Sequence, residues 1–182
     1  MNIRNLVKRL VLNFYGIKIY DDFFESYWLK FIEENISNLP FYRSEYDLEG
    51  PLKKKSGLVH YIDYKSDVYN IIENRLIDKN ILTDKNKIDR MYYNLFLPNE
   101  NPQYHVDSKN NNDITVLIYL DNSNSEIIMN ENGCTEFNID SLVLGIPHIK
   151  NRVVVFNSTM KHRATSFLDK DRYSIAVKIV KD

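Results

Sequence analysis

His105 and Asp107 stand two residues apart, His162 follows 55 residues after Asp107, and Arg172 and Ser174 come ten and twelve residues after His162. Two imidazoles and one carboxylate, with no fourth ligand beside them, make one face of an octahedron. Such a set leaves three positions open and suits a non-haem Fe(II). Structural zinc prefers four ligands, usually with cysteine among them. An arginine at a set distance after the second histidine suggests what would fill two of the open positions. That co-ligand would be a 2-oxo acid whose far carboxylate needs a rigid, permanently charged partner.

The chain must bring these residues together. His105 and Asp107 follow the turn Pro98–Pro102 and, being two apart, share one face of an extended segment, with Val106 pointing away. His162 comes just after an expected strand, Arg152–Phe156, and the turn Asn157-Ser158-Thr159. Arg172 opens the last strand, Tyr173–Val180, and Ser174 lies on its face. Further strands are expected at Ile88–Leu97, Ile114–Leu120, Glu126–Met129 and Thr135–Ile139, all rich in Val, Ile, Tyr and Phe. Strands in succession without intervening helices imply an antiparallel barrel or sandwich, not a parallel sheet.

Before Ile88 the pattern is helical. Asn2–Leu12 reads as a short helix and Ile17–Tyr20 as a strand. Asp22 and Glu25 form a capping-box pattern ahead of an amphipathic helix, Asp22–Ser37. Its stripe of Phe23, Phe24, Tyr27, Trp28, Phe31, Ile32 and Ile36 is expected to pack on a sheet. Pro40–Ser56 reads as a loop whose Lys53-Lys54-Lys55 cluster is a solvated tip. Leu58–Ile62 is a strand, and Ser66–Leu82 a second helix with Val68, Ile72, Leu76 and Ile77 inward. The expected fold is mainly β, a jelly roll (double-stranded β-helix, cupin-like) packed by two or three α-helices. Residues 1–182 would form one domain, with 1–87 a helical support with edge strands and 88–182 the jelly-roll core.

Bulk properties narrow the function. With 182 residues and 43% hydrophobic content the chain can bury a core. A net charge of −1 and a pI near 6.4 argue against general affinity for nucleic acid or anionic membrane. One cysteine, Cys134, excludes an internal disulfide framework and fits a reducing, cytoplasmic setting. It reads as a small buried residue, not a nucleophile. No segment is expected to span a bilayer or act as a signal peptide. His60 and His148 read as structural or exposed, and Arg163 faces either substrate or solvent.

Arg90 to Val180 resembles the core of Fe(II)/2-oxoglutarate-dependent dioxygenases, closest to the prolyl-4-hydroxylase-like branch and its phage and bacterial relatives. The matching text is RMYYNLFLPNENPQYHVD (90–107), ITVLIYLD (114–121), NGCTEF (132–137) and NRVVVFNSTMKHRATSFLDKDRYSIAVKI (151–179). Ile19–Phe24 resembles the segment that opens many such enzymes. The resemblance implies that His105, Asp107 and His162 hold the iron and that Arg172 pairs with the C5 carboxylate of 2-oxoglutarate. It makes Ser174 a second contact and Tyr119 a hydrogen-bond partner of that carboxylate. Asn94 matches an asparagine that helps hold the cosubstrate in phage-type relatives. The chain departs from the prolyl hydroxylases at Phe96, near where they carry a tyrosine, which weakens the transfer of a prolyl substrate. The implied reaction consumes O2 and 2-oxoglutarate, releases succinate and CO2, and hydroxylates a peptide side chain or a small metabolite. Nucleic acid is the least favoured substrate. The alternatives are a non-enzymatic jelly-roll metal-binding module and a cupin-type oxygenase that does not use 2-oxoglutarate. The sequence leaves oligomeric state open.

Overall fold

The computed structural model describes residues 11–42, 57–100, 102–121 and 133–181. In chain order the elements are β1 (Lys18–Tyr20), α1 (Ser26–Glu34), β2 (Leu58–Tyr61), α2 (Asp67–Asp78), β3 (Asn86–Phe96), β4 (Ile114–Tyr119), β5 (Cys134–Ile139), β6 (Leu142–Pro147), β7 (Val153–Asn157), β8 (His162–Ala164) and β9 (Arg172–Lys181). A short helical stretch at 11–14 precedes β1. The expected strand 126–129, the lysine cluster at 53–55 and most of the expected first helix lie outside the described residues.

The strands form two antiparallel sheets, one ordered β1-β7-β4-β9-β3-β2 and the other β6-β5-β8. This is the jelly-roll arrangement expected from the strand pattern. The larger sheet buries its outer face under α1 and α2. Ile32, Ile72 and Leu76 meet Met91, Tyr93, Val116, Ile118, Ile175 and Val177 there. Between the sheets Phe137 and Ile146 pack with Tyr119, Val154 and Phe156.

Because side chains alternate along a strand, the other face of β3, β4 and β9 points inward. Direct pairing sets Phe96 opposite Arg172, Asn94 opposite Ser174, Tyr92 opposite Ala176 and Arg90 beside Lys178. Across the other edge of β9, Tyr119 stands opposite Ser174 and Thr115 opposite Lys178. The inward face is therefore polar at both ends and apolar in its middle.

Several expectations change. Helix α1 starts later than the capping pattern suggests, since Asp22 has φ 51 and Glu25 is the N-cap without a side-chain cap bond. Asn151 explains the delay. It accepts from Phe23 N at its carbonyl (3.1 Å) and from Phe24 N at Oδ1 (2.8 Å), which ties both residues to the turn before β7. The buried positions of α1 are Leu29 and Ile32, so Tyr27 and Trp28 are exposed instead of packing on the sheet. Helix α2 is capped by the Ser66 hydroxyl, which accepts from Tyr69 N at 3.2 Å. Its inner arc is Val68, Ile72 and Leu76. Ile77, one residue further round, is 50% exposed. Strands β6 and β8 were not anticipated. The first holds Gly145 and Pro147, which break the strand signal, and the second has only three residues.

Candidate metal and carboxylate site

His105 and His162 face each other across a β-bridge in which each backbone N–H donates to the other's carbonyl at 2.9 Å. Their rings lie 4.6 Å apart. Asp107 N–H donates to Ser158 O at 2.9 Å, fixing the carboxylate beside them. The ligand atoms of the three residues lie within 4.8 Å of one another. His105 Nδ1 faces Gln103 O at 3.2 Å and His162 Nδ1 faces Met160 O at 2.9 Å. A carbonyl only accepts, so each Nδ1 carries the proton and each Nε2 is left to coordinate. The two Nε2 atoms lie 3.6 and 3.4 Å from Asp107 Oδ1 and Oδ2. Two lone pairs and a carboxylate converging on one point are a donor set that a divalent cation satisfies.

Electrostatics favour the ligand-competent forms of Asp107 and His162. Burial alone would raise Asp107, but His105, Lys178 and His162 hold it well below the usual carboxylate range. Burial pushes His162 down to about 4, against the pull of Asp107. For His105, at the mouth with its side chain 53% exposed, burial also lowers the pKa, but the Asp107 carboxylate outweighs it and the net shift is upward.

Two further residues hold the carboxylate, and the sequence reading passed over both. Thr115 Oγ1 donates to Asp107 Oδ2 at 2.7 Å. Lys178, 5% exposed, ion-pairs with the same oxygen and donates to Thr115 Oγ1 at 3.1 Å. Burial pulls the lysine down to about 8 despite that partner. A signal was present in the sequence, because Lys178 has the same strand parity as Arg172 and Ser174.

The other end of the inward face is built around Arg172, 1% exposed. Its Nη2 donates to Thr135 Oγ1 at 3.2 Å and its Nε to His148 Nδ1 at 3.0 Å. Nη1 has no hydrogen-bond partner among the described residues. The guanidinium sits 5.6 Å from the Phe96 ring centroid and 5.8 Å from that of Tyr119. Tyr119 OH donates to Thr135 Oγ1 at 2.6 Å, and burial pushes this phenol up to about 12. Thr135 thus accepts from two sides, which leaves its own hydroxyl proton free to donate. Ser174 is buried between Tyr119 and Asn94 in register, and Asn94 is half-buried on β3. From Thr115 to Tyr119 along β4 is four residues, roughly 13 Å at the usual strand rise.

The remaining side chains take these places. His148 is fully buried and stacked on Tyr119, so of the two readings, structural or exposed, it takes the structural one. His60 is half-buried with Nδ1 2.9 Å from Pro40 O. Arg163 pairs with Glu136 at 2.6 Å over the Tyr104 ring, at a strand position next to that of His162 and so on the opposite face. Cys134 lies 3.3 Å from Thr165 Oγ1, and burial raises its thiol pKa. Beyond the candidate donors the wall continues over Arg90 and Tyr92 to Tyr61 and Tyr42. The rings are 5.6 Å apart from Tyr92 to Tyr61 and 6.2 Å apart from Tyr61 to Tyr42. Tyr92, half-buried, is pushed above the ordinary phenol range first by loss of solvent and then by the Asp107 charge.

No family model and no curated protein matches the sequence. Solved structures do match the fold. A prolyl-4-hydroxylase of Pseudomonas putida superposes with a TM-score of 0.70 at 12% identity, over 97% of this chain and 98% of that one. HygX of Streptomyces hygroscopicus, with nickel, 2-oxoglutarate and hygromycin B bound, gives 0.70 at 13% identity, over 100% and 88%. A prolyl hydroxylase of Trichoplax adhaerens, in complex with a hypoxia-inducible-factor degradation-domain peptide, gives 0.68 at 17% identity, over 100% and 94%. The fold is that of the 2-oxoglutarate–Fe(II) oxygenases. Among the described residues no helix is long and apolar enough to cross a membrane.

Proposed function

We propose that this chain is an Fe(II)- and 2-oxoglutarate-dependent oxygenase that hydroxylates a peptide side chain or a small molecule. One observation carries the reading. A three-donor cation site shares an inward face with a buried arginine whose Nη1 lacks a partner among the described residues. A metal site alone has no use for that arginine, which argues against a simple metal-binding module.

His105 and His162 would present Nε2 to the iron, each held by its Nδ1–H, and Asp107 would complete the set. Thr115 keeps the carboxylate oriented, and Lys178 offsets negative charge collecting beside it. Arg172 would take the C5 carboxylate of 2-oxoglutarate, with Tyr119, Thr135, Ser174 and Asn94 around it. When bound, iron, 2-oxoglutarate and O2 supply an oxidative decarboxylation to succinate and CO2 that drives oxidation of a substrate C–H bond. The chain's own residues position these groups and keep water from the apolar middle of the inward face.

The wall of Arg90, Tyr92, Tyr61 and Tyr42 would receive the substrate. The peptide-bound Trichoplax neighbour and the hygromycin-bound HygX support the two substrate classes. The single cysteine supports a cytoplasmic setting, and residues 1–182 would act as one catalytic domain. The test is incubation of iron-loaded protein with 2-oxoglutarate, O2 and a library of peptides and metabolites. Succinate formation coupled to gain of one oxygen atom in a library member is expected, and both should vanish in Asp107→Ala. Absence of 2-oxoglutarate consumption with every library member would contradict the reading.

A further inference from the structure

His148 supports the Arg172 guanidinium from within the core. Its ring is wholly buried, lies flat on Tyr119 with centroids 4.1 Å apart, and meets Phe167 edge-on at 5.6 Å. Its two nitrogens have opposite partners. Nδ1 is 3.0 Å from Arg172 Nε. An arginine N–H only donates, so this nitrogen carries a lone pair. Nε2 stands 2.5 Å from Asp121 Oδ1 and 3.1 Å from Tyr173 O. The Tyr173 carbonyl accepts and the Asp121 carboxylate is at ion-pair distance, so Nε2 carries the proton. Asp121 is itself anchored, because its Oδ2 accepts from Tyr173 N at 3.0 Å.

We propose that His148, oriented by Asp121, is the positioning residue of the carboxylate clamp, engaging Nε of Arg172 so that Nη1, without a partner among the described residues, is turned to the far carboxylate of the cosubstrate. The proposal rests on the reading of Arg172 as that clamp. A long side chain with several rotatable bonds does not hold one rotation in an apolar pocket unless an edge of its planar fork is tied down. Thr135 ties Nη2 and His148 ties Nε, and together they leave one nitrogen to act. Burial and the neighbouring guanidinium push His148 down to about 4, which keeps the imidazole a neutral acceptor at physiological pH.

The tautomer distinguishes His148 from the other three histidines of the chain. His60, His105 and His162 each place Nδ1 against a backbone carbonyl and must be protonated there. His148 alone places Nδ1 against a donor.

Two substitutions separate the hydrogen bond from the packing. His148→Phe keeps a ring against Tyr119 but has no acceptor. His148→Asn keeps an acceptor oxygen near the Nδ1 position but has no ring to stack. The readout is calorimetric titration of 2-oxoglutarate into Ni(II)-loaded full-length protein, with metal content measured separately. Because His148 touches none of the three metal donors in the contacts above, both variants should hold Ni(II) as wild type does. His148→Phe should bind 2-oxoglutarate on the order of 10- to 100-fold more weakly, as expected when a buried charged donor loses its partner. His148→Asn should recover most of that loss. Wild-type affinity in His148→Phe, or an equal loss in both variants, overturns the proposal. If wild type itself does not take up 2-oxoglutarate, the clamp reading fails and this proposal falls with it, a result distinct from the other two. A measurement on unaltered protein needs no variant to fold. Nitrogen-15 spectra of histidine-labelled protein at neutral pH should show one unprotonated, hydrogen-bonded Nδ1 beside three protonated ones, and four protonated Nδ1 signals would overturn it.

Discussion

Arg172→Ala removes a guanidinium that is 1% exposed, with Nε committed to His148, Nη2 to Thr135 and Nη1 without a partner among the described residues. None of these contacts reaches His105, Asp107 or His162, so divalent metal should bind the variant as it binds wild type. The cosubstrate, by contrast, loses its charged partner in a pocket closed to solvent screening. Taking one partner from a buried, hydrogen-bonded charge pair costs about 2–5 kcal/mol. At 1.4 kcal/mol per decade, that is a roughly 30- to 4,000-fold loss of 2-oxoglutarate affinity. Near-complete burial of Arg172 argues for the upper part of that range. Arg172→Lys should fall between wild type and alanine, since an ammonium cannot meet His148, Thr135 and a carboxylate in one plane. The assay is calorimetric titration of 2-oxoglutarate into Ni(II)-loaded protein. Wild-type affinity in the alanine variant would refute the clamp and favour a metal site without a cosubstrate.

Thr115→Val removes the hydroxyl that orients Asp107, and metal affinity should fall roughly 10- to 100-fold, the usual cost of losing a group that steadies a ligand. Competition against a fluorescent chelator measures this, and unchanged affinity would remove Asp107 from the ligand set. Burial pushes both His148 and His162 down to about 4 in the folded chain, below the ordinary histidine value. Below that ordinary value the unfolded chain binds protons that the folded chain refuses, so metal-free protein should lose stability as pH falls from about 6.5 to 5, by up to about 1.4 kcal/mol per pH unit for each histidine. His105, shifted upward, loses its contribution only as pH rises through its folded value, outside that window. Denaturant titrations should show a shallower slope in His148→Asn, and an identical slope would contradict the burial of that ring in a neutral form. Phe137→Ala empties a fully buried site between Phe156 and the His162 ring. It should cost about 3–5 kcal/mol in urea unfolding, and a negligible cost would mean that the two sheets do not close there.

The residues proposed as donors and clamp stand out in the sequence because such roles need particular side-chain chemistry at set spacings. Arg172, Tyr119, Ser174 and Asn94 share the inward face of the larger sheet, while His162 comes from β8 and His105 and Asp107 from the segment bridged to it. Residues that act through others were harder to see. His148 looks like any isolated histidine until the fold stacks it on Tyr119 and brings Arg172 Nε to its ring. Thr135 and Thr115 carry no signal beyond parity, since threonine is common in strands for its shape alone. Lys178 has the right parity, but a lysine in a strand usually faces solvent and so carries no site signal by itself. Local signals also misled where tertiary contacts prevailed. Asn151, more than a hundred residues away in sequence, takes the backbone of Phe23 and Phe24 and delays α1. The strands of the smaller sheet are short or interrupted by Gly145 and Pro147, so their alternation is too brief to read.

In the proposed function one metal and one 2-oxo acid meet at His105, Asp107 and His162 under the hold of Arg172. Anaerobic titration of the protein with Fe(II) and then 2-oxoglutarate tests it at the metal itself, through the visible charge-transfer absorption that arises when a 2-oxo acid chelates ferrous iron. The account predicts a band that saturates at one iron and one 2-oxoglutarate per chain, disappears in Asp107→Ala, and in Arg172→Ala is reached only at far higher 2-oxoglutarate. Iron that binds stoichiometrically while 2-oxoglutarate produces no band at any concentration would contradict it.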